Sequence, residues 1–341
     1  MTSVGGMFGI KNIEAMKKSF PGEVWVIGVD INYIEGVEYI ADKFIKVASG
    51  SSKEYANQVC EIIKKYKINK ILPCSDEEAI TLSKIKINIE KLGADLLTTN
   101  YSEIKIMSNK ISTYKLLSNN NIAVPYYKEL NSFEELDYYT DKFYKQMKSF
   151  VIKEPVARGN RGTILVDKEI KGKVDYMGSR EIHSSFVYYK KLIRPKLDKN
   201  FPKIITERLY APAYDVDVLA KNGASIHIVP RERINPAGVP YKGNIIRNNS
   251  NLIDLSKQVA KILKLSFLYD VDIMTRKDGT LVVLEVNPRP SGSCIASIEF
   301  GVPLYKDLLQ LFDTDNFQAK KVLKDGTRII PFVTCNIVPS Q

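Results

Sequence analysis

Two carboxylates and a carboxamide fall within one short stretch near the C-terminal end of the sequence. In "FLYDVDIMTRKDGTLVVLEVNP", Asp272 precedes a turn at Asp278–Gly279, and Glu285 and Asn287 follow it. Side chains alternate along a strand, so Glu285 and Asn287 share a face, and antiparallel return brings Asp272 alongside Glu285. Three oxygen ligands without histidine or cysteine suit a hard cation such as magnesium holding a nucleotide's phosphates. The flanking "LVVLEV" is apolar on both faces, which puts Glu285 at a buried strand end rather than on a solvated hairpin.

A second constellation lies in "FVIKEPVARGNRGTILV". Lys153 ends an apolar strand, and Arg158, Gly159, Asn160, Arg161 and Gly162 make a basic glycine turn before the next strand. Glycines let backbone amides close over anionic oxygens, and the arginines add charge. No G-K-[ST] follows and the turn joins strand to strand, so this is not a Walker loop. Alone it reads as an ordinary turn; paired with the magnesium hairpin it reads as a phosphate lid.

The bulk composition narrows the chemistry further. At 341 residues two or three domains are expected. Hydrophobic residues make up 44% and charged residues 26%, which is ordinary for a soluble globular protein. The formal charge of +11 comes from lysines scattered through "KKYKINK", "KIKINIEK" and "KKLIRPK", without an aromatic ladder or basic helix. That describes solvated helix faces and anionic small substrates rather than a nucleic-acid groove. Cys60, Cys74, Cys294 and Cys335 form no CxxC pair, and Cys294 reads as a packed small residue rather than a nucleophile. With only His183 and His227, zinc hydrolysis and Ser-His-Asp chemistry are disfavoured by inventory. No apolar run reaches membrane-spanning length and no signal pattern opens the chain, so a cytoplasmic enzyme with no membrane partner is expected.

These residues must be held by two kinds of architecture. Over the first hundred residues strands ("EVWVIGVD", "KILPCSD", "ADLLTT") alternate with helices over 52–66 and 77–93, which implies an α/β parallel sheet with helices on both faces. A helix over 103–120 and another over 132–147, capped by Ser132, lead into strands joined by glycine turns, an α+β region with antiparallel sheets. The tail "GTRIIPFVTCNIV" reads as a late strand added to an existing sheet. At the start, "MTSVGGMFG" leaves Thr2 to Val4 as barely half a first strand; either that strand is unusually short or the true start lies upstream. Gly5, Gly6 and Gly9 followed by Asp30 imitate a dinucleotide fingerprint, but Gly5 and Gly6 are adjacent, so tight helix–strand packing explains them better than nicotinamide binding.

Taken together, the order of elements resembles the ATP-grasp superfamily over nearly the whole chain, nearest to its carbamoyl-phosphate-synthetase-like and L-amino-acid-ligase-like branch, where "NPRPSGS" endings occur. The resemblance implies a Rossmann-like front domain over 1–102, a small lid subdomain over 103–206 and a larger antiparallel-sheet subdomain with the metal site over 207–341. It implies ATP as cofactor with two magnesium ions, or manganese, on Asp272, Glu285 and Asn287. Lys110 and Lys153 would contact the phosphates, Lys153 also lying near the adenine, and Glu207, Leu209 and Tyr210 in "ITERLY" would form the adenine hinge. Arg289 would contact the transferred phosphoryl group or the acyl phosphate. Arg231 and Arg233 in "PRERI", with Ser291, Gly292 and Ser293, would face the substrate. Where relatives place a ribose-binding acid before "YDVDV", this chain has Ala213, leaving Asp215 as the substitute. Asp76 in "ILPCSDEEA" would border the acceptor site; equally, it supplies charge to the first turn of the following helix.

The activity so implied is ATP-dependent joining of a small-molecule carboxylate to an amine through an acyl phosphate, with ADP and phosphate released. Such chemistry needs positioning and charge neutralisation but no protein nucleophile, which suits so histidine-poor a chain. Carboxyphosphate chemistry of the carbamoyl-phosphate type is the neighbouring enzyme reading, although no duplicated half is present. A non-catalytic ATP-binding regulatory module and a Rossmann oxidoreductase are the readings from other classes. Among enzymes resembling this one dimers are common, so a homodimer is compatible with the resemblance.

Overall fold

The fold is described from a computed structural model over residues 1–156, 162–175, 181–236, 242–314, 317 and 323–332. The chain divides into two compact units, one of Met1–Ser108, Ala213–Ile273 and Glu285–Gln341, the other of Asn109–Pro212 with Met274–Leu284.

The first unit opens with helix α1 (Gly9–Ser19), then β1 (Ile27–Asp30) and β2 (Lys43–Lys46), which pair in parallel. Helix α2 (Tyr55–Tyr66) buries Tyr55, Val59 and Ile63, spaced by four residues so that they share one face. It packs on Ile27, Val29 and Ile71. β3 (Lys70–Ile71) pairs in parallel with β4 (Asp95–Leu96). The stretch expected as one helix over 77–93 is two, α3 (Asp76–Lys84) and α4 (Lys86–Lys91), broken at Ile85, whose ψ of 18° is non-helical. Helix α5 (Tyr101–Met107) closes this part. Gly9 is required by contact: a Cβ there would lie 1.9 Å from the Val4 carbonyl oxygen. Asp30 is bonded by the amides of Gly5 (2.8 Å) and Asn32 (3.0 Å), so its carboxylate holds the loop closed rather than awaiting a ribose.

The second unit begins at α6 (Lys110–Asn119); Asn109 accepts from the amides of Ile111 and Ser112 and so starts a new helix where one continuous helix was expected. There follow β5 (Tyr127–Leu130), α7 (Phe133–Met147) capped by Ser132, β6 (Ser149–Lys153), β7 (Thr163–Asp167), β8 (Lys173–Asp175), β9 (Glu181–Ser184), the short α8 (Phe186–Tyr188) and β10 (Lys203–Thr206). Their sheet has the order β5-β10-β6-β7-β9-β8. Leu136 and Phe143 of α7 cover Phe150, Ile152, Val166 and Ile205.

The other six-stranded sheet has the order β15-β14-β11-β12-β13-β16, from β11 (Tyr210–Lys221), β12 (Ala224–Arg233), β13 (Asn244–Ile246), β14 (Phe267–Thr275), β15 (Leu281–Asn287) and β16 (Arg328–Ile329). The expected late strand is β16, paired with β13, while 333–341 lie outside the described residues. Helices α9 (Ser250–Ile262), α10 (Cys294–Glu299) and α11 (Leu304–Leu309) complete the chain. The turn of the expected hairpin is present: the Gly279 amide donates to the Arg276 carbonyl at 3.0 Å, and Gly279 has φ of +84°.

Candidate cation site and nucleotide-facing residues

Strand β14 reads "FLYDVDIMT" and is buried along most of its length, with Asp270 and Asp272 on one face. Asp215 of the neighbouring β11 joins them, so that one carboxylate oxygen from each lies within 4.8 Å of the others. The Asn287 amide nitrogen donates to Asp270 (3.2 Å) and reaches Asp272 (3.5 Å) from β15. Arg233, on β12, donates to Asp215 at 2.6 Å and to Asp272 at 2.5 Å.

Arg233 is shared by Asp215 and Asp272, and Arg289, 3.4 Å from Asp270, is shared with Asp76, so the four carboxylates outnumber the two guanidiniums. Burial would raise Asp215, but Arg233 prevails and holds its carboxyl down at about 2. Asp272 is pushed up to about 7 by burial, with Asp215 and Glu285 adding repulsion against the pull of Arg233. Burial, then the charge of Asp272, raises Asp270 well above the usual carboxylate range. Asp270 Oδ1 is buried with no hydrogen-bond partner among the described residues. An oxygen-only donor set, excess negative charge and an orphaned buried oxygen fit a hard divalent cation.

The structure thus brings Asp272 and Asn287 together and places Glu285 near enough to act on Asp272, but the tight acidic trio includes Asp270 and Asp215 instead of Glu285. Asp270 was missed; the "DVD" alternation that puts it on the face of Asp272 was its signal. Asp215, expected at the ribose, is 3% exposed and paired with Arg233.

The two arginines expected to face substrate are both engaged by carboxylates. Arg231 is fully buried, donating to Asp217 (2.8 Å), Asn244 (3.1 Å), Ser291 (2.7 Å) and Ser293 Oγ (2.7 Å). Ser291 and Ser293 are therefore fastened to a structural arginine, whereas Gly292 between them is exposed with open space around its Cα. Arg233 directs its charge to Asp215 and Asp272. Arg289 lies between Asp270 and Asp76, 3.4 Å from each, and the Pro288 carbonyl before it accepts from Thr98 at 2.9 Å. Cys294 is fully buried and burial pushes its thiol up, so no thiolate is available there.

In the second unit Lys110 is the first residue of α6, 7% exposed, its amide donating to the Pro155 carbonyl at 2.9 Å. Lys153 ends β6 opposite Ile204. Glu207 accepts at Oε1 from the Tyr126 amide and from Arg276 Nε, both at 2.9 Å, while Arg276 covers the Tyr126 ring. Leu209 and Tyr210 are half-buried beyond it, with Arg208 and Lys277 each 5.0 Å from the Tyr210 ring centre. Lys203, not singled out in the sequence, is buried between Glu154 (2.6 Å) and Asp198 (2.7 Å). Of the expected glycine turn, Gly162 is described, with φ of +73°; Arg158, Gly159, Asn160 and Arg161 lie outside the described residues.

A family model described as "ATP-grasp in the biosynthetic pathway with Ter operon" matches residues 200–333. Residues 200–333 therefore carry an ATP-grasp family match. Residues 1–97 match a second model, the PylC-like N-terminal domain. No curated protein matches the chain in sequence. Among solved structures it resembles biotin carboxylase from Campylobacter jejuni in complex with β,γ-ATP (TM-score 0.66, 13% identity, 94% of this chain and 72% of that one). It also resembles L-amino acid ligase from Bacillus licheniformis (TM-score 0.63, 13%, covering 88% and 70%). A third is N5-carboxyaminoimidazole synthetase from Staphylococcus aureus with ADP (TM-score 0.63, 16%, covering 91% and 77%). At these identities the likeness carries the fold. Among the described residues no helix is long and apolar enough to cross a membrane.

Proposed function

We propose that this protein is an ATP-grasp ligase that activates a small-molecule carboxylate with ATP, forming an acyl phosphate that an amine captures, with release of ADP and phosphate. The observation that carries this reading is the oxygen-lined acidic site on β11, β14 and β15, with Arg289 two residues past Asn287. Asp270, Asp272, Glu285 and Asn287 are the residues that would hold magnesium or manganese, which when bound supplies neutralisation of phosphoryl oxygens. Asp215 and Arg233 orient Asp272 and set its charge. Arg289, balanced between Asp76 and Asp270, is oriented to meet the negative charge of the transferred phosphoryl group. Lys110 and Lys153 supply further positive charge toward the nucleotide, and Leu209 and Tyr210, with the segment anchored through Glu207, would seat the adenine. Gly162 belongs to the turn proposed as the phosphate lid.

The three named structural relatives handle a nucleotide or join small molecules by their printed names, which supports the reading. A homodimer acting in the cytoplasm completes the proposal. The test is ADP and phosphate release from magnesium-ATP against pooled carboxylates and amines. Release that requires one acid and one amine supports a ligase. ATP binding without turnover in any pool would move a regulatory nucleotide-binding role ahead of it.

A further inference from the structure

Strand β12 carries a buried histidine that the ligase reading does not use. His227 is 2% exposed, and its Nε2 lies 2.5 Å from Oδ2 of Asp307 on α11, itself 3% exposed. A carboxylate has only acceptor atoms, so Nε2 carries the proton and, in the neutral ring, Nδ1 is an acceptor. Nδ1 makes no hydrogen bond among the described residues. A histidine that only ties β12 to α11 has no use for open space at its second nitrogen, and a buried acceptor left unpaired costs stability.

That space is a cavity of about 220 Å³ within the first unit, which His227 lines. β13 ends at Ile246, and the Arg247 amide takes the Pro230 carbonyl at 3.0 Å. The edge of β12 at Ile228 therefore has no strand beside it among the described residues, and it borders the cavity. Val229, Ile246, Val302 and, from α9, Ile253 give it apolar walls. Each feature restricts the occupant. Arg247 is the one charged residue among the described wall residues, and it directs its charge to Glu232 at 2.6 Å, so a neutral molecule is favoured. Apolar walls select an apolar body. A cavity of about 150 Å³ takes benzene, so this one takes a ring of that size with a substituent. One nitrogen with an open lone pair selects one donor on that body.

We propose that this cavity binds a small neutral hydroxyl compound, a phenol or a branched alcohol, whose hydroxyl donates to His227 Nδ1 while its apolar body fills the space between β12, β13 and α9. Asp307 is the positioning residue, because its bond to Nε2 holds the tautomer and the angle of the ring. β12 runs on from His227 to Arg231 and Arg233, so the occupant rests on the strand that carries both arginines. None of the described wall residues belongs to the acidic site, and the inference does not depend on the ligase reading.

The chain has two histidines, His183 and His227, so the imidazole nitrogen spectrum of the ¹⁵N-labelled protein reads the site directly, with His183→Gln assigning the signals. Titration with phenol is expected to saturate and to move the His227 Nδ1 resonance upfield while His183 stays in place. Benzene, which matches the walls but has no donor, is expected to bind at least about fivefold more weakly. Val302→Phe puts a ring into the cavity and leaves His227 and Asp307 unchanged; it is expected to weaken phenol binding at least about tenfold. A response that does not saturate, an Nδ1 that carries the proton, benzene binding as tightly as phenol, or phenol binding undiminished in Val302→Phe overturns the proposal and leaves the cavity to water. The first three outcomes are read on the unaltered cavity, so the test stands even where Val302→Phe fails to fold.

Discussion

Arg231→Met isolates the buried network beneath the loop that carries Ser291 and Ser293. Arg231 and Asp217 are both 0% exposed and paired at 2.8 Å, and the same guanidinium bonds Ser291, Ser293 and Asn244. Removing it leaves the Asp217 carboxylate buried with, among the described residues, the Ser297 hydroxyl, which donates at 2.6 Å. Breaking a buried pair from one side costs about 3–5 kcal/mol, a fall in Tm of roughly 6–20 °C at about 2–4 °C per kcal/mol. The double variant Arg231→Met/Asp217→Leu removes the stranded charge; Ser291, Ser293 and Asn244 still lose their donor, as in Arg231→Met, and Ser297 loses its acceptor, each unpaired group costing about 1–3 kcal/mol. Thermal unfolding of the wild type, both single variants and the double variant closes the cycle. The double variant should be more stable than Arg231→Met. If the two single effects simply add, or if Arg231→Met costs less than about 1 kcal/mol, the network does not hold the loop as described.

Asp270→Asn replaces a carboxyl already pushed toward its protonated form, so the Tm should stay within about 3 °C while cation affinity falls at least about tenfold, read by calorimetric titration with Mn²⁺. Because burial raises Asp272 to about 7 and raises Asp270 as well, protons must leave before the cation enters; the cation Kd should rise by at least about tenfold per pH unit below pH 7. The sign for stability is opposite. Between about pH 4 and 7 the folded chain retains a proton that the unfolded chain has released, so without cation the Tm should fall as pH rises across that window. Gly9→Ala would drive a Cβ to 1.9 Å from the Val4 carbonyl oxygen and should cost about 3 kcal/mol, seen as a lowered urea midpoint.

The parts of this molecule that were legible in the sequence are those fixed by local chemistry. The Asp278–Gly279 turn, the Ser132 cap and the helix expected over 52–66 each depend on a few neighbours, and each is found, the helix as α2 (Tyr55–Tyr66). So is the fold class, because strand–helix alternation and glycine-turned strands directly express layer architecture. Breaks inside long amphipathic runs were not legible: Ile85 and Asn109 each interrupt a pattern whose periodicity continues across them. The least legible features depend on strand register. "PRERI" offers two basic side chains, but only the pairing of Asp215 with Arg231 across β11 and β12 brings Asp217 to one arginine and Asp215 to the other. The same register moves Asp215 from an expected ribose contact into the acidic cluster. Asp270 was hidden by the apolar residues around it, although a buried carboxylate in such a strand is itself the sign of a site.

Labelled oxygen puts the acyl-phosphate reading to the most direct trial. The protein is incubated with magnesium-ATP, an amine pool and carboxylates labelled with ¹⁸O in both oxygens, and the released phosphate is weighed. Attack by the carboxylate on the γ-phosphate transfers one labelled oxygen, so the phosphate should be two mass units heavier, and Glu285→Gln should abolish its release. Unlabelled phosphate would mean that water, not a carboxylate, is the attacking group, and would contradict the ligase mechanism outright.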